Sequence, residues 1–170
     1  MTKDQKTVAV GAASGIILMV LLVWLLSKAI PTPEIADDAG DRLAYAARWA
    51  VVAVLPFFFM IAAVGNERFL SEAIDPMLHK ESRKMEVNGR VAENTLQQFV
   101  CFIVGIAGIA VSVPREWLSV VPAIAITFVI CRLLFWIGYR IRPLYRAPGF
   151  SSTAYMNLFM FIAVLWLWVR

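Results

Sequence analysis

The sequence predicts an all-α integral membrane protein, and three observations lead to this prediction. Hydrophobic residues make up 61% of the 170 residues and charged residues only 16%, whereas an ordinary soluble domain is about 45 to 50% apolar. The mean hydropathy is +0.73. The apolar residues are grouped into five long runs, and about 20 apolar residues allow a helix to cross a hydrocarbon core of roughly 30 Å. We therefore expect five transmembrane helices.

The first span is predicted at residues 8–30. Lys3 and Lys6 precede it, as in a secretory signal, but the apolar run is longer than the about 7 to 15 residues of such a signal. We expect residues 1–30 to be retained as an additional N-terminal transmembrane helix. Gly11 and Gly15 form a GxxxG pattern, which lets two helices approach closely. The pattern leaves open whether the partner is the chain's own bundle or a neighbouring subunit.

Residues 31–170 form the second predicted unit, a bundle of four helices. An acidic connector leads from Pro31 and Pro33 into it, and a polar stretch of mixed charge at 66–93 is the longest segment expected outside the membrane. A tight turn joins the two central spans into a helical hairpin, and a basic turn precedes the last span. The four spans are predicted at residues 43–65, 94–113, 118–139 and 153–169.

The distribution of basic residues predicts the orientation. Five spans place the termini on opposite sides of the membrane, and the basic residues are concentrated on the side of the N-terminus. Cytoplasmic loops carry the excess of Lys and Arg, so we expect a cytoplasmic N-terminus. The short chain, its compact loops and the lack of a sorting signal favour a bacterial inner membrane. The residues on the N-terminal side are Lys3, Lys6, Arg68, Lys80, Arg83, Lys84, Arg90, Arg140, Arg142 and Arg146, against Lys28, Arg42, Arg115 and Arg170 on the other.

Several function classes are excluded at this stage. The net charge of +4 is spread among apolar runs rather than gathered in a patch, so nucleic acid is not an expected partner. Cys101 and Cys131 lie in apolar runs without metal-ligand spacing, and His79 is the only histidine, so we expect buried free thiols and no protein-bound metal. A channel or transporter is disfavoured because no Asp or Glu lies within spans two to five.

Two polar stripes in the central hairpin are the candidate functional residues. Arg90, Asn94 and Gln97 stand at i, i+4 and i+7, and so share one face of a helix. Arg132 and Tyr139 share a face of the following helix. Polar groups inside a bilayer cost free energy unless they are paired, so the stripes point to a ligand, a subunit neighbour or an internal network.

The two stripes resemble the motifs of the MAPEG family, the membrane-associated proteins of eicosanoid and glutathione metabolism. Its members show Arg-x3-Asn-x2-Glu at the start of one helix, then Arg-x2-Tyr-x2-Gly-Tyr near the end of the next, and an arginine shortly afterwards. Residues 43–170 carry this order of motifs, and the additional first helix makes the chain similar to the mattrin branch. The matching positions are Arg90, Asn94, Arg132, Gly138, Tyr139 and Arg146.

The resemblance implies a four-helix bundle assembled as a homotrimer in membrane lipid, with glutathione bound between subunits near the cytoplasmic surface. It therefore predicts a glutathione-dependent transferase or peroxidase that acts on lipophilic electrophiles. Arginine forks suit carboxylates, so Arg90 and Arg132 are expected to hold those of glutathione. Arg146 is the predicted catalytic residue, which would stabilise the thiolate, and Tyr139 would add a hydrogen bond.

Two positions depart from the family pattern and support an alternative. Gln97 stands where the family usually has Glu, and Phe135 where several members have Tyr. Gln97 removes an anion that could pair with the ligand ammonium, although its amide still donates and accepts hydrogen bonds. The alternative is a non-catalytic member that acts through partner membrane proteins or lipids. In that case Arg90 and Arg146 serve as interfacial or topology charges, and Asn94 and Gln97 join helices.

Overall fold

The computed structural model of the protein describes residues 1–35 and 37–170, and within this part five helices are long and apolar enough to cross a membrane. The predicted all-α fold with five spans is confirmed. Short 3₁₀ turns occupy the connections, at Glu72–Ile74, Pro76–Leu78, Arg115–Trp117 and Pro143–Arg146. The helices are α1 (Lys3–Ala29), α2 (Ala39–Phe69), α3 (Arg83–Ser112), α4 (Val120–Ile141) and α5 (Ala147–Val169).

The helix α3 begins well before the apolar run that predicted it. The Ser82 hydroxyl accepts a hydrogen bond from the Met85 amide at 3.1 Å and so caps the helix at its N-terminus. Met85 and Asn88 are buried, so the first turns of α3 belong to the packed bundle. The polar stretch at 66–93 is therefore not a single loop, because only residues 70–82 connect α2 to α3. Apolar runs mark the hydrocarbon layer, whereas the helix continues beyond that layer.

The five helices run up and down, so the bundle has two ends. We call the end that holds the N-terminus the proximal end, where Asp4 lies 3.7 Å from Arg142 in the basic turn. At the other end, the distal end, the Thr32 hydroxyl donates to the Glu116 carbonyl at 3.4 Å. The loop 70–82 is proximal and the C-terminus is distal.

The helix α4 lies at the centre and packs against each of the other four helices. Val121, Ala125 and Phe128 on it are fully buried. The Phe128 ring lies 4.5 Å from that of Phe102 on α3, and this contact forms the middle of the core.

The GxxxG pattern seats α1 on α5 of the same chain. A Cβ atom at Gly15 would lie only 2.1 Å from the Pro148 carbonyl oxygen, and one at Gly11 would lie 3.2 Å from the Pro148 ring. The Ser152 hydroxyl donates to the Gly15 carbonyl at 2.8 Å. The first helix therefore packs against its own bundle, and small residues permit the close approach.

A buried arginine joins α2 to the distal end of α3. Arg42 is 8% exposed, and its guanidinium donates to the carbonyls of Ala110 at 3.1 Å and Val113 at 2.6 Å. Asp37 pairs with the same guanidinium. The last carbonyls of a helix have no partner within the helix and attract cations. Arg42 was expected only as an orientation signal, but its hydrogen bonds join α2 to the end of α3.

Candidate functional site

A cavity of about 610 Å³ opens between α1, α3, α4 and α5 at the proximal end. Four of the six predicted site residues line it, namely Arg90, Asn94, Tyr139 and Arg146. They come from α3, from α4 and from the turn before α5. The remaining wall is formed by Val8, Ala12, Phe135, Leu144, Ala147, Phe150, Ser151 and Tyr155.

Close backbone contacts hold Arg146 at the cavity. A Cβ atom at Gly138 would lie 2.3 Å from the Tyr145 carbonyl oxygen, so only glycine lets the basic turn fold back against α4. A Cβ atom at Gly149 would lie 2.4 Å from the Phe135 amide nitrogen, so α5 also packs closely against α4. As a result, the Arg146 guanidinium carbon lies 5.1 Å from the centre of the Tyr139 ring, within the range of a cation–π contact.

Arg132 lies behind the cavity wall rather than in it. The side chain is 0% exposed, and one terminal nitrogen donates to the Asn94 Oδ1 at 3.2 Å. Its guanidinium carbon lies 4.0 Å from the centre of the Phe135 ring. Among the residues that the structure describes, its Nε and other terminal nitrogen have no hydrogen-bond partner. Arg132 therefore orients Asn94 within one chain, and its predicted contact with a carboxylate stays a prediction.

Gln97 is exposed on the outer face of α3 and does not line the cavity. Its neighbour Gln98 makes the contact with α5 instead. The Asn157 amide nitrogen donates to the Gln98 carbonyl at 3.0 Å and to its side-chain oxygen at 2.9 Å. This pair was not predicted, although a single Asn in the apolar last span is a recognisable signal. The role of Gln97 in ligand binding stays a prediction.

The contribution of α1 to the cavity was also missed. Val8 and Ala12 form one wall, and the Ser151 hydroxyl donates to the Ala12 carbonyl at 3.1 Å. The GxxxG pattern indicated a close helix contact, but it could not indicate which surface of the bundle would be covered. The additional helix thus belongs to the candidate site.

The thiols differ in exposure. Cys131 is buried as expected, but Cys101 is exposed on α3, so the expectation of two buried thiols is wrong for Cys101. Within residues 1–35 and 37–170, no group of three or more His, Cys, Asp or Glu side chains could hold a metal ion.

The chain is similar in sequence to two mammalian membrane proteins. Transmembrane protein 79 of Mus musculus is 23% identical over 114 residues, which are 67% of this chain and 29% of that protein. The Bos taurus protein of the same name is 24% identical over 114 residues, with the same shares. The chain therefore matches less than a third of the length of these relatives. No solved structure gives a significant match.

The relatives bear on two of the expectations. Transmembrane protein 79 is mattrin, so the similarity to that branch is confirmed. Both relatives are mammalian proteins and give no support to a bacterial inner membrane. The model of the MAPEG family matches residues 46–166, more than half of the chain, and this range includes both polar motifs. The protein therefore belongs to the MAPEG family.

Proposed function

We propose that the protein binds glutathione in the proximal cavity and joins its sulfur to lipophilic electrophiles dissolved in the membrane, or reduces peroxides there while two glutathione molecules are oxidised to their disulfide. The observation that carries this proposal is the convergence of Arg90, Asn94, Tyr139 and Arg146 on one cavity. The cavity volume of about 610 Å³ lies within the roughly 300 to 1,000 Å³ of small-molecule sites.

The charge of the cavity favours an anionic ligand. Arg90 and Arg146 supply two positive charges, and the residues described along the wall include no Asp or Glu. Glutathione carries two carboxylates and one ammonium, so it is an anion even before its thiol ionises. A charge-assisted hydrogen bond from an arginine contributes about 1.5 to 3 kcal/mol. Asn94, oriented by Arg132, offers an amide to the peptide backbone.

Arg146 is the proposed catalytic residue because a transferase needs the thiolate form. A free thiol has a pKa near 8.5, and a nearby cation lowers the pKa by stabilising the anion. Each unit by which that pKa falls corresponds to about 1.4 kcal/mol. The thiolate sulfur then forms a bond to the electrophilic carbon. In a substitution, the electron pair of the broken bond departs with the leaving group. In an addition, the displaced electron pair takes up a proton. Tyr139, in contact with Arg146, would donate a hydrogen bond to the sulfur.

The second substrate would occupy the apolar side of the cavity. Val8 and Ala12 on α1 face Phe150 and Tyr155 on α5 there. Apolar and aromatic walls with a few polar groups are typical of sites for small hydrophobic molecules. An electrophile that partitions into the bilayer would therefore meet the thiolate without first entering water.

We also propose that three copies assemble through α3. Its outer face exposes Glu93, Gln97 and Cys101 outside the cavity, and polar side chains such as Gln97 are costly against lipid. A neighbouring copy would pair these groups. Native mass spectrometry in mild detergent tests this proposal, because a monomer as the only species would contradict it.

The proposed orientation places the proximal end in the cytoplasm, where glutathione is abundant. The excess of basic residues at that end supports it. Labelling of single cysteines introduced at residues 3 and 170 with a membrane-impermeant maleimide, in intact cells, tests the orientation. Labelling at residue 3 but not at residue 170 would show the opposite orientation.

Isothermal titration with glutathione tests the binding proposal. The parent protein is expected to release heat, and Arg146→Ala and Asn94→Ala are each expected to weaken binding by about tenfold, from the loss of roughly 1.4 kcal/mol. Arg140→Ala is the matched control, because Arg140 is an exposed arginine near the same turn that does not line the cavity. No heat above dilution for the parent would refute binding and leave the non-catalytic alternative. Binding without thiolate absorbance would refute catalysis alone.

A further inference from the structure

A second cavity, of about 830 Å³, lies at the distal end between α1, α4 and α5. We call it the distal groove. Its wall is mainly apolar and includes Met19, Trp24 and Ala163, and the exposed residues Lys28, Glu116 and Trp117 lie at its mouth. It shares no residue with the proximal cavity.

The distal groove runs along α1 between two of the contacts that this helix makes with the bundle. Gly15 lies directly on Pro148, and Met19 is 3% exposed. At the other contact the Ser119 hydroxyl donates to the Ser27 carbonyl at 3.0 Å. The groove follows the helix from Met19 to Lys28, about 14 Å at 1.5 Å per residue. An apolar groove of this length fits the part of an extended acyl chain that lies nearest to the headgroup.

The mouth of the groove carries two opposite charges, those of Lys28 and Glu116. Lys28 and Glu116 are both exposed, and neither forms an ion pair within the residues described. Trp24 and Trp117 are 57% and 64% exposed at the same end. Tryptophan is enriched at the level of lipid headgroups. The charges therefore lie where a headgroup would lie when its chain fills the groove.

We propose that the distal groove binds one phospholipid whose headgroup contains both a phosphate and a primary ammonium. One acyl chain lies between α1 and α5, the phosphate accepts hydrogen bonds from Lys28, and the ammonium donates to the Glu116 carboxylate. A lipid with a purely anionic headgroup would satisfy Lys28 but would be repelled by Glu116. A quaternary ammonium would supply the charge but no N–H donor.

Lipid retention by the full-length protein tests this proposal. The purified protein is stripped of lipid in detergent and mixed with phosphatidylethanolamine, phosphatidylcholine or phosphatidylglycerol that carry the same acyl chains. Native mass spectrometry then counts the lipids bound per chain. We expect one phosphatidylethanolamine to be retained most strongly. Equal retention of the three lipids, or a preference for phosphatidylglycerol, would overturn the proposal.

Charge variants locate the headgroup. Lys28→Gln and Glu116→Gln are each expected to weaken retention of phosphatidylethanolamine by at least about tenfold, as the loss of one charge-assisted hydrogen bond implies. Lys3→Gln, at the proximal end, is the matched control and should change nothing. Unchanged retention in both distal variants would overturn the proposed headgroup contacts.

A volume variant locates the acyl chain without altering charge. Ala163→Leu places three additional carbons in the distal groove, so we expect it to lower retention of all three lipids several-fold. Ala63→Leu is the control, because Ala63 is also partly exposed but lies on α2, away from the groove. Both variants should elute as the parent does on size exclusion. Equal retention by the two variants would show that the chain lies elsewhere.

Discussion

The contact of Gly15 with Pro148 makes a prediction that can be worked through in detail. In Gly15→Ala the added Cβ would lie 2.1 Å from the Pro148 carbonyl oxygen and 2.8 Å from the Pro148 carbonyl carbon and Cα. All three are backbone atoms of α5, so no side-chain rotation relieves the clash, and α1 must move outward by about 1 Å or more. Overpacking of this kind costs about 1 to 3 kcal/mol.

Two further terms set the net effect. The shift stretches the hydrogen bond from Ser152 to the Gly15 carbonyl, and helix-to-helix hydrogen bonds in membranes contribute about 0.6 kcal/mol. Alanine is, however, a better helix former than glycine by about 0.5 to 1 kcal/mol. We therefore expect Gly15→Ala to lower the free energy of unfolding by about 1 to 3 kcal/mol, which lowers Tm by several degrees.

Gly65→Ala is the matched control, because a Cβ atom at Gly65 in α2 meets nothing within 4 Å. It should keep the gain in helix propensity and raise Tm slightly. Tm from intrinsic tryptophan fluorescence and hydrogen exchange of the α1 peptides measure both variants. We expect faster exchange in α1 for Gly15→Ala alone. Equal Tm and equal exchange in the two variants would refute the close packing of α1 on α5.

Three further predictions follow from contacts described above. Arg42→Gln removes the charged donor to the carbonyls of Ala110 and Val113 and should lower the free energy of unfolding by about 3 kcal/mol in thermal unfolding. Arg48→Gln is the control at an exposed position on the same helix, and it should change the free energy of unfolding by less than about 0.5 kcal/mol. A double-mutant cycle of Asn157→Ala and Gln98→Ala should give a coupling of about 0.6 kcal/mol, and a coupling of zero would contradict the hydrogen bond. Gln97→Glu should change the glutathione affinity by less than about twofold, because residue 97 lies outside the cavity wall. A clear gain in affinity, measured by calorimetry, would show that a neighbouring copy brings this residue to the ligand.

The existence of the five helices could be predicted because a long apolar run has few alternatives to a membrane-spanning helix. Their ends could not be predicted in the same way. Hydropathy marks the lipid layer, but α3 begins eleven residues before its predicted span, at the Ser82 cap. The capping serine was visible in the sequence and is the signal that a search for apolar runs overlooks.

Helix periodicity and the order of the motifs predicted only part of the candidate site. Spacing correctly grouped Arg90 with Asn94, and the order of the motifs indicated that Tyr139 and Arg146 would lie near them. Periodicity cannot indicate which neighbour a helix face meets. For that reason periodicity favours Gln97 although Gln98 makes the contact with α5, and it gives no sign that Phe135 separates Arg132 from the cavity.

The position of α1 has a consequence for which molecules can reach the proximal cavity. Val8 and Ala12 of the first helix line the proximal cavity, so under the proposed function this helix would limit the size of the molecules that enter from the bilayer. A chain shortened to its last four helices would admit bulkier hydrophobic compounds from that side. In this protein the range of substrates would then be set as much by the N-terminal segment as by the family motifs.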